Sequence, residues 1–138
     1  MEAVYEEIQR EVGRIVGRYA AEKKVSGRMD LESFEMSIRS SLHQVGSRIL
    51  EALVNADGGD YRGRTLPCGE GHSYEFVGYR DKDLLTVLGP VVVKRAYYFA
   101  RECGTGYCPK DRALDIEGTS YSAGVRRMVS KVGAYRSF

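Results

Sequence analysis

Two short glycine-bearing turns carry all three cysteines of this chain and bracket its most β-prone stretch. Cys68-Gly-Glu-Gly-His72 precedes that stretch and Cys103-Gly-Thr-Gly-Tyr-Cys108 follows it. Tyr74-Glu-Phe-Val-Gly-Tyr79 alternates as a strand does, and Asp83-Leu-Leu-Thr-Val-Leu88 reads as the second strand. Gly89-Pro90 reads as a turn, and Val91–Phe99 is dense in β-branched and aromatic residues. The pattern predicts a three-strand antiparallel meander closed at both ends by turns bearing soft ligands, which is how a small zinc ribbon is built. The candidate ligands are Cys68, His72, Cys103 and Cys108. An imidazole with three thiolates is an accepted tetrahedral set, so one structural zinc is the implied cofactor. The alternative is a ribbon that folds without metal, its thiols packed at the strand ends.

The rest of the chain reads as helical. Val4, Ile8, Val12, Ile15 and Tyr19 recur at spacings of three and four over residues 3–24. Ser26-Gly27 ends that helix and Asp30 is a suitable N-cap for the next. Leu31, Phe34, Ile38, Leu42, Val45, Ile49 and Leu53 then form a second apolar seam, stopped by Asn55-Ala-Asp-Gly-Gly59. Residues 1–56 are therefore expected to form an antiparallel helical hairpin. An apolar edge left over from the two seams would suit a homodimer through these helices. Residues 57–67 read as a polar, glycine-rich linker, and 68–117 as the ribbon-like β unit. Pro109–Leu114 reads as a loop leading out. Ser122 is expected to open a last helix whose buried stripe is Val125, Met128, Val129 and Val132. The fold class is α+β.

Charge is unevenly shared. Residues 1–66 hold ten Lys/Arg against eleven Asp/Glu, whereas residues 67–138 hold eleven against eight. After Glu117 there is no acid, while Arg126, Arg127, Lys131 and Arg136 remain. That sign suits a phosphate-facing segment. Candidate DNA contacts are Arg126, Arg127 and Lys131, with Lys94 and Arg95 on the last predicted strand and Lys110 and Arg112 after Cys108. The acidic start has no apolar core of a signal peptide, and no window is apolar enough to span a membrane. Three cysteines without a secretory signal point to reduced thiols in a cytoplasm. No phosphate-cradling glycine loop and no nucleophile beside a base is legible, so an enzyme acting alone is disfavoured.

One string of short motifs resembles a known family. Phe76-Val-Gly-Tyr-Arg80, Thr86-Val-Leu-Gly-Pro-Val91, Arg95-Ala-Tyr-Tyr98, Cys103-Gly-Thr-Gly106, Cys108-Pro-Lys-Asp111, Glu117-Gly-Thr-Ser120 and Gly124-Val-Arg-Arg-Met128 are together similar to the N-terminal region of ISKra-type insertion-sequence transposases. The similarity spans residues 65–138. It implies a zinc-ribbon-like DNA-binding region, then a helix-turn-helix beginning within residues 118–138, then an RNase H-like nuclease domain beyond Phe138. The implied partner is the terminal-repeat DNA of an insertion sequence, in a cytoplasmic, nucleoid-associated setting. The chain would be a truncated fragment, working or decayed, and no catalytic carboxylate is carried onto it. The alternative is a protein-interaction or dimerisation module on a degenerate ribbon, for which Tyr61, Tyr74, Tyr79, Tyr97, Tyr98 and Tyr107 would serve as contact residues. The knuckles depart from the family pattern. Glu70 stands at an expected cysteine, Ala100 at another, and Phe99 where histidine is common.

Overall fold

A computed structural model describes residues 1–26, 30–69 and 71–135. Gly27, Glu70 and Arg136 lie outside the described residues. The element order is α1 (Glu2–Ser26), α2 (Leu31–Val54), β1 (Thr65–Pro67), β2 (Ser73–Thr86), β3 (Gly89–Ala100), β4 (Thr105–Tyr107), α3 (Pro109–Ala113) and α4 (Ala123–Tyr135). The class is α+β, with two N-terminal helices ahead of a four-stranded antiparallel sheet in the order β1-β2-β3-β4.

The helices begin where the sequence placed them. Asp30 caps α2, its carboxylate accepting from the Ser33 amide at 3.4 Å and from the Ser33 hydroxyl at 2.6 Å. Tyr19 packs edge-on against Phe34, Arg18 donates to Ser37, Arg14 to Ser41, and Arg48 faces Glu7. Partners that fall on one helix as they rise on the other define an antiparallel hairpin. The contact is narrow: Phe34 is buried, whereas Val12, Val16, Leu31, Met36, Leu42 and Leu53 are exposed.

The sheet differs from the predicted meander in its count and its turn. The two predicted strands over 74–88 are one strand of fourteen residues. The polar run Arg80-Asp81-Lys82-Asp83 does not break it, because Arg80, Asp81, Lys82 and Asp83 pair in register with Arg95, Lys94, Val93 and Val92. The hairpin turn falls at Val87-Leu88 rather than Gly89-Pro90. Thr86 determines this, its hydroxyl donating to the Gly89 carbonyl at 2.7 Å and accepting from the Leu88 amide at 3.2 Å. A bulge at Val77 shifts the register between Phe76 and Gly78.

The stretch expected to be a linker is built into the sheet. Thr65–Pro67 is β1, and Gly59 is buried with its carbonyl accepting from the Ala96 amide at 2.7 Å. Tyr98, fully buried, donates to the Gly63 carbonyl and accepts from the Arg62 amide, each at 2.9 Å. Tyr61, Phe76, Tyr79 and Tyr98 form an edge-on ring cluster with centroids 4.9 to 5.6 Å apart. Such pairs each add about 0.5–1.5 kcal/mol beyond burial alone, so these tyrosines cement the sheet.

β4 covers β3 only from Tyr98 to Ala100, which would leave the remainder of that strand's edge bare. Side chains close it. The Glu51 carboxylate accepts from the Val92 amide at 2.7 Å. The Asn55 amide donates to the Val92 carbonyl at 2.8 Å and accepts from the Lys94 amide at 2.9 Å. The end of α2 thus substitutes for a neighbouring strand. On the outer edge of β2, Leu85 exchanges bonds with Ser120 and Ser122 at 2.8 and 2.9 Å. The aliphatic core lies between, formed by Leu84, Val91, Val93 and Ile116 with Leu50, Val54 and Leu114 against it.

Candidate metal knuckle and basic surface

The register places both cysteine-bearing turns at one end of the sheet, because β2 pairs with β1 at Ser73 and with β3 at Glu75. Three of the four candidate ligands converge there. Cys68 Sγ lies 3.1 Å from Cys103 Sγ, and His72 Nδ1 lies 3.2 Å from the same sulfur. The Glu102 carboxylate is 3.9 Å from His72 Nδ1. The Cys68 amide donates to the His72 carbonyl at 2.9 Å, which closes the first turn.

Cys108 does not join them. β4 stands between it and Cys103, and Cys108 precedes α3 as its N-cap residue. Its neighbours are Arg95, Asp111, Arg80 and Lys82, and burial pushes its thiol up from the ordinary value. The expected loop at Pro109–Leu114 is in fact α3, started by Pro109 at its first turn. That helix turn carries Cys108 away from the knuckle.

A closed structural zinc needs four ligands, and the set proposed from the sequence is not assembled. Two thiolates each about 2.3 Å from a tetrahedral zinc lie about 3.8 Å apart, farther than the 3.1 Å found between Cys68 and Cys103. Among the described residues no group of three or more His, Cys, Asp or Glu side chains is placed to hold a metal. Glu70, in the same turn, lies outside the described residues.

The basic candidates separate into two groups. Lys110 is 3% exposed and donates to Asp57 at 2.7 Å. Partial burial works to raise the Asp57 carboxyl, but hydrogen bonds from Lys110 and the Gly59 amide outweigh it and hold the group below its ordinary value. Arg95 donates to Asp111 at 2.6 Å with both side chains 14% exposed, and Lys82 joins the pair at 3.5 Å from the same carboxylate while donating to the Ile116 carbonyl at 2.6 Å. Arg95 therefore holds α3 to the sheet, Lys110 holds it to the turn after α2, and neither is presented to a phosphate backbone. Asp57 and Asp111, far off in sequence, recruit them.

Lys94, Arg112, Arg127 and Lys131 are exposed. Lys94 lies over the Tyr79 ring, 4.3 Å from its centroid. Arg126 is half-buried and donates to the Asp115 carboxylate at 2.5 Å and to the Asp115 carbonyl at 2.9 Å. Ser122 begins α4 as expected, its hydroxyl accepting from the Val125 amide at 3.3 Å. The apolar stripe of that helix is not buried as expected: Met128, Val129 and Val132 are exposed, while Gly124 in its first turn lies against Val87 of the β2–β3 turn. Arg80 and Arg101 were not among the sequence candidates. They line an open groove of about 520 Å³ with Glu75, Phe76, Val77, Tyr97 and Phe99, and Arg80 stacks on Tyr97 at 3.5 Å. Strand alternation through Arg95, Tyr97, Phe99 and Arg101 was the signal for that face.

No described helix is long and apolar enough to cross a membrane. Comparison with protein-family models, with curated proteins and with solved structures finds no match to this chain.

Proposed function

We propose that this chain is a DNA-binding region of an insertion-sequence transposase that grips terminal-repeat DNA through α4. The observation that supports this most directly is the charge and setting of α4. The helix is held to the sheet tip by its first turn and carries no acid. Arg127 and Lys131 are exposed on it, and among the described residues neither has an ion-pair partner. Such cations neutralise phosphates and position a protein on a duplex, while sequence is read elsewhere. Arg126 contributes less, because DNA must compete with Asp115 for its guanidinium.

The test is fluorescence anisotropy of a labelled terminal-repeat duplex and of a scrambled duplex across a salt series. Binding should weaken with salt, and R127A/K131A should lower the log–log salt slope by about 2. Absence of binding at low salt, or an unchanged slope in the double variant, would sink the reading.

A second reading is dimerisation through the helical hairpin. The exposed Val12, Val16, Leu31, Met36, Leu42 and Leu53 favour it, since unpartnered apolar residues on a helix pair often complete their core in another copy. A stable dimer by sedimentation that ignores DNA would favour this reading over the first.

A further inference from the structure

We propose that Cys68 and Cys103 are a redox pair, which a mild two-electron oxidant converts to an intramolecular disulfide joining the β1–β2 turn to the β3–β4 turn. This goes beyond the DNA-binding reading and does not depend on it.

Three observations carry the inference. The sulfurs are 3.1 Å apart although the residues are 35 positions apart in sequence. A disulfide needs them to close by about 1 Å more, a change within reach of small rotations of both side chains. The third cysteine lies beyond β4, which leaves the pair without a competing thiol, and among the described residues no metal-holding group surrounds it. The pair is also reachable: both thiols are half-buried, and a shallow groove of about 250 Å³ opens at His72 and Glu102 beside them.

The chemistry balances with hydrogen peroxide as oxidant. One thiol takes up an oxygen to become a sulfenic acid and releases one water. The other sulfur attacks that sulfur, the S–S bond forms, and a second water leaves with the second thiol proton. The two sulfurs are oxidised and the peroxide is reduced. Thiol reagents of the dithiothreitol class reverse the step by exchange.

The full chain, reduced, stripped with a chelator and then exposed to substoichiometric peroxide, tests this. Titratable thiols should fall from three to one, and the intact mass should drop by two hydrogens. Trypsin leaves Cys103 and Cys108 in one peptide, because no Lys or Arg separates them. Cys108→Ser resolves the ambiguity: in that variant the peptide containing Cys68 should still be joined to the one containing Cys103. Cys68→Ser and Cys103→Ser should each abolish the link while their circular dichroism stays that of the parent. A link that disappears in Cys108→Ser would overturn the proposal, as would one that runs only between two chains. So would a tightly held zinc, one per chain, that shields both thiols before stripping, since the pair would then be ligands.

Discussion

Asp57→Asn is the substitution whose cost follows most directly from the geometry. Lys110 is 3% exposed, so its ammonium depends on the Asp57 oxygen at 2.7 Å. Removing one partner of a fully buried ion pair costs about 3–5 kcal/mol. Here the Asp57 side chain is 46% exposed, which admits solvent to the pair and reduces that figure. Asparagine also keeps an acceptor for Lys110 and for the Gly59 amide at 2.9 Å. The expected loss is about 2 kcal/mol, roughly 30-fold in the folding equilibrium. Lys110→Met behaves differently. It leaves Asp57 facing water and replaces the buried stem with one of similar volume, so it should cost under about 1 kcal/mol. The double variant should lie close to Lys110→Met alone, a coupling of about 1–2 kcal/mol. Urea unfolding followed by far-UV circular dichroism measures all four proteins. If Asp57→Asn costs no more than Lys110→Met, the pair is a surface contact and the account of how α3 is held is wrong.

Asp57 is held below its ordinary value of 3.8 in the fold, so its contribution is fully present above that pH and is lost as pH falls through the lowered folded-state value; the stability gap between the parent and Asp57→Asn should therefore shrink below about pH 3.8 in acid titrations of the urea midpoint. Gly106→Ala should cost about 1–3 kcal/mol, because a Cβ there would sit 2.6 and 2.7 Å from Cε2 and Cζ of Tyr97 and closer still to its hydroxyl. Thermal unfolding of Gly106→Ala with and without Tyr97→Phe checks this: loss of the hydroxyl should recover part of the deficit, and a neutral Gly106→Ala would refute the crowding.

Local signals were legible and long-range ones were not. Asp30 and Ser122 could be read as caps because each acts on an amide three residues away. The hairpin of α1 and α2 followed from two seams and a short break. The run Arg80–Asp83 misled because charges in the middle of a strand look like a turn until their partners are known. Those partners include Asp111, which arrives from α3 and pairs with Arg95 and Lys82. Arg95 and Lys110 were read as DNA contacts for the same reason, since a basic residue in sequence does not declare its acidic partner elsewhere in the chain. Cys103 and Cys108 looked like one knuckle because they are close in sequence. The strand and helix turn that separate them lack a strong local pattern of their own. Cys68, His72 and Cys103 did meet, because paired turns on adjacent strands are brought to one end of the sheet by register alone.

The closure of β3 by Glu51 and Asn55 has a consequence for how the chain can be divided. A helix that covers a sheet only by apolar contact can be exchanged for another apolar cover. Here α2 also satisfies donors and an acceptor of the strand through two side chains. Deleting residues 1–56 would therefore uncover Val92 and Lys94 as an open edge, in a strand rich in valine and tyrosine, ready to pair with the same edge of another copy. The hairpin is in this sense a guard against polymerisation, and the sheet without it is a monomer with an adhesive side.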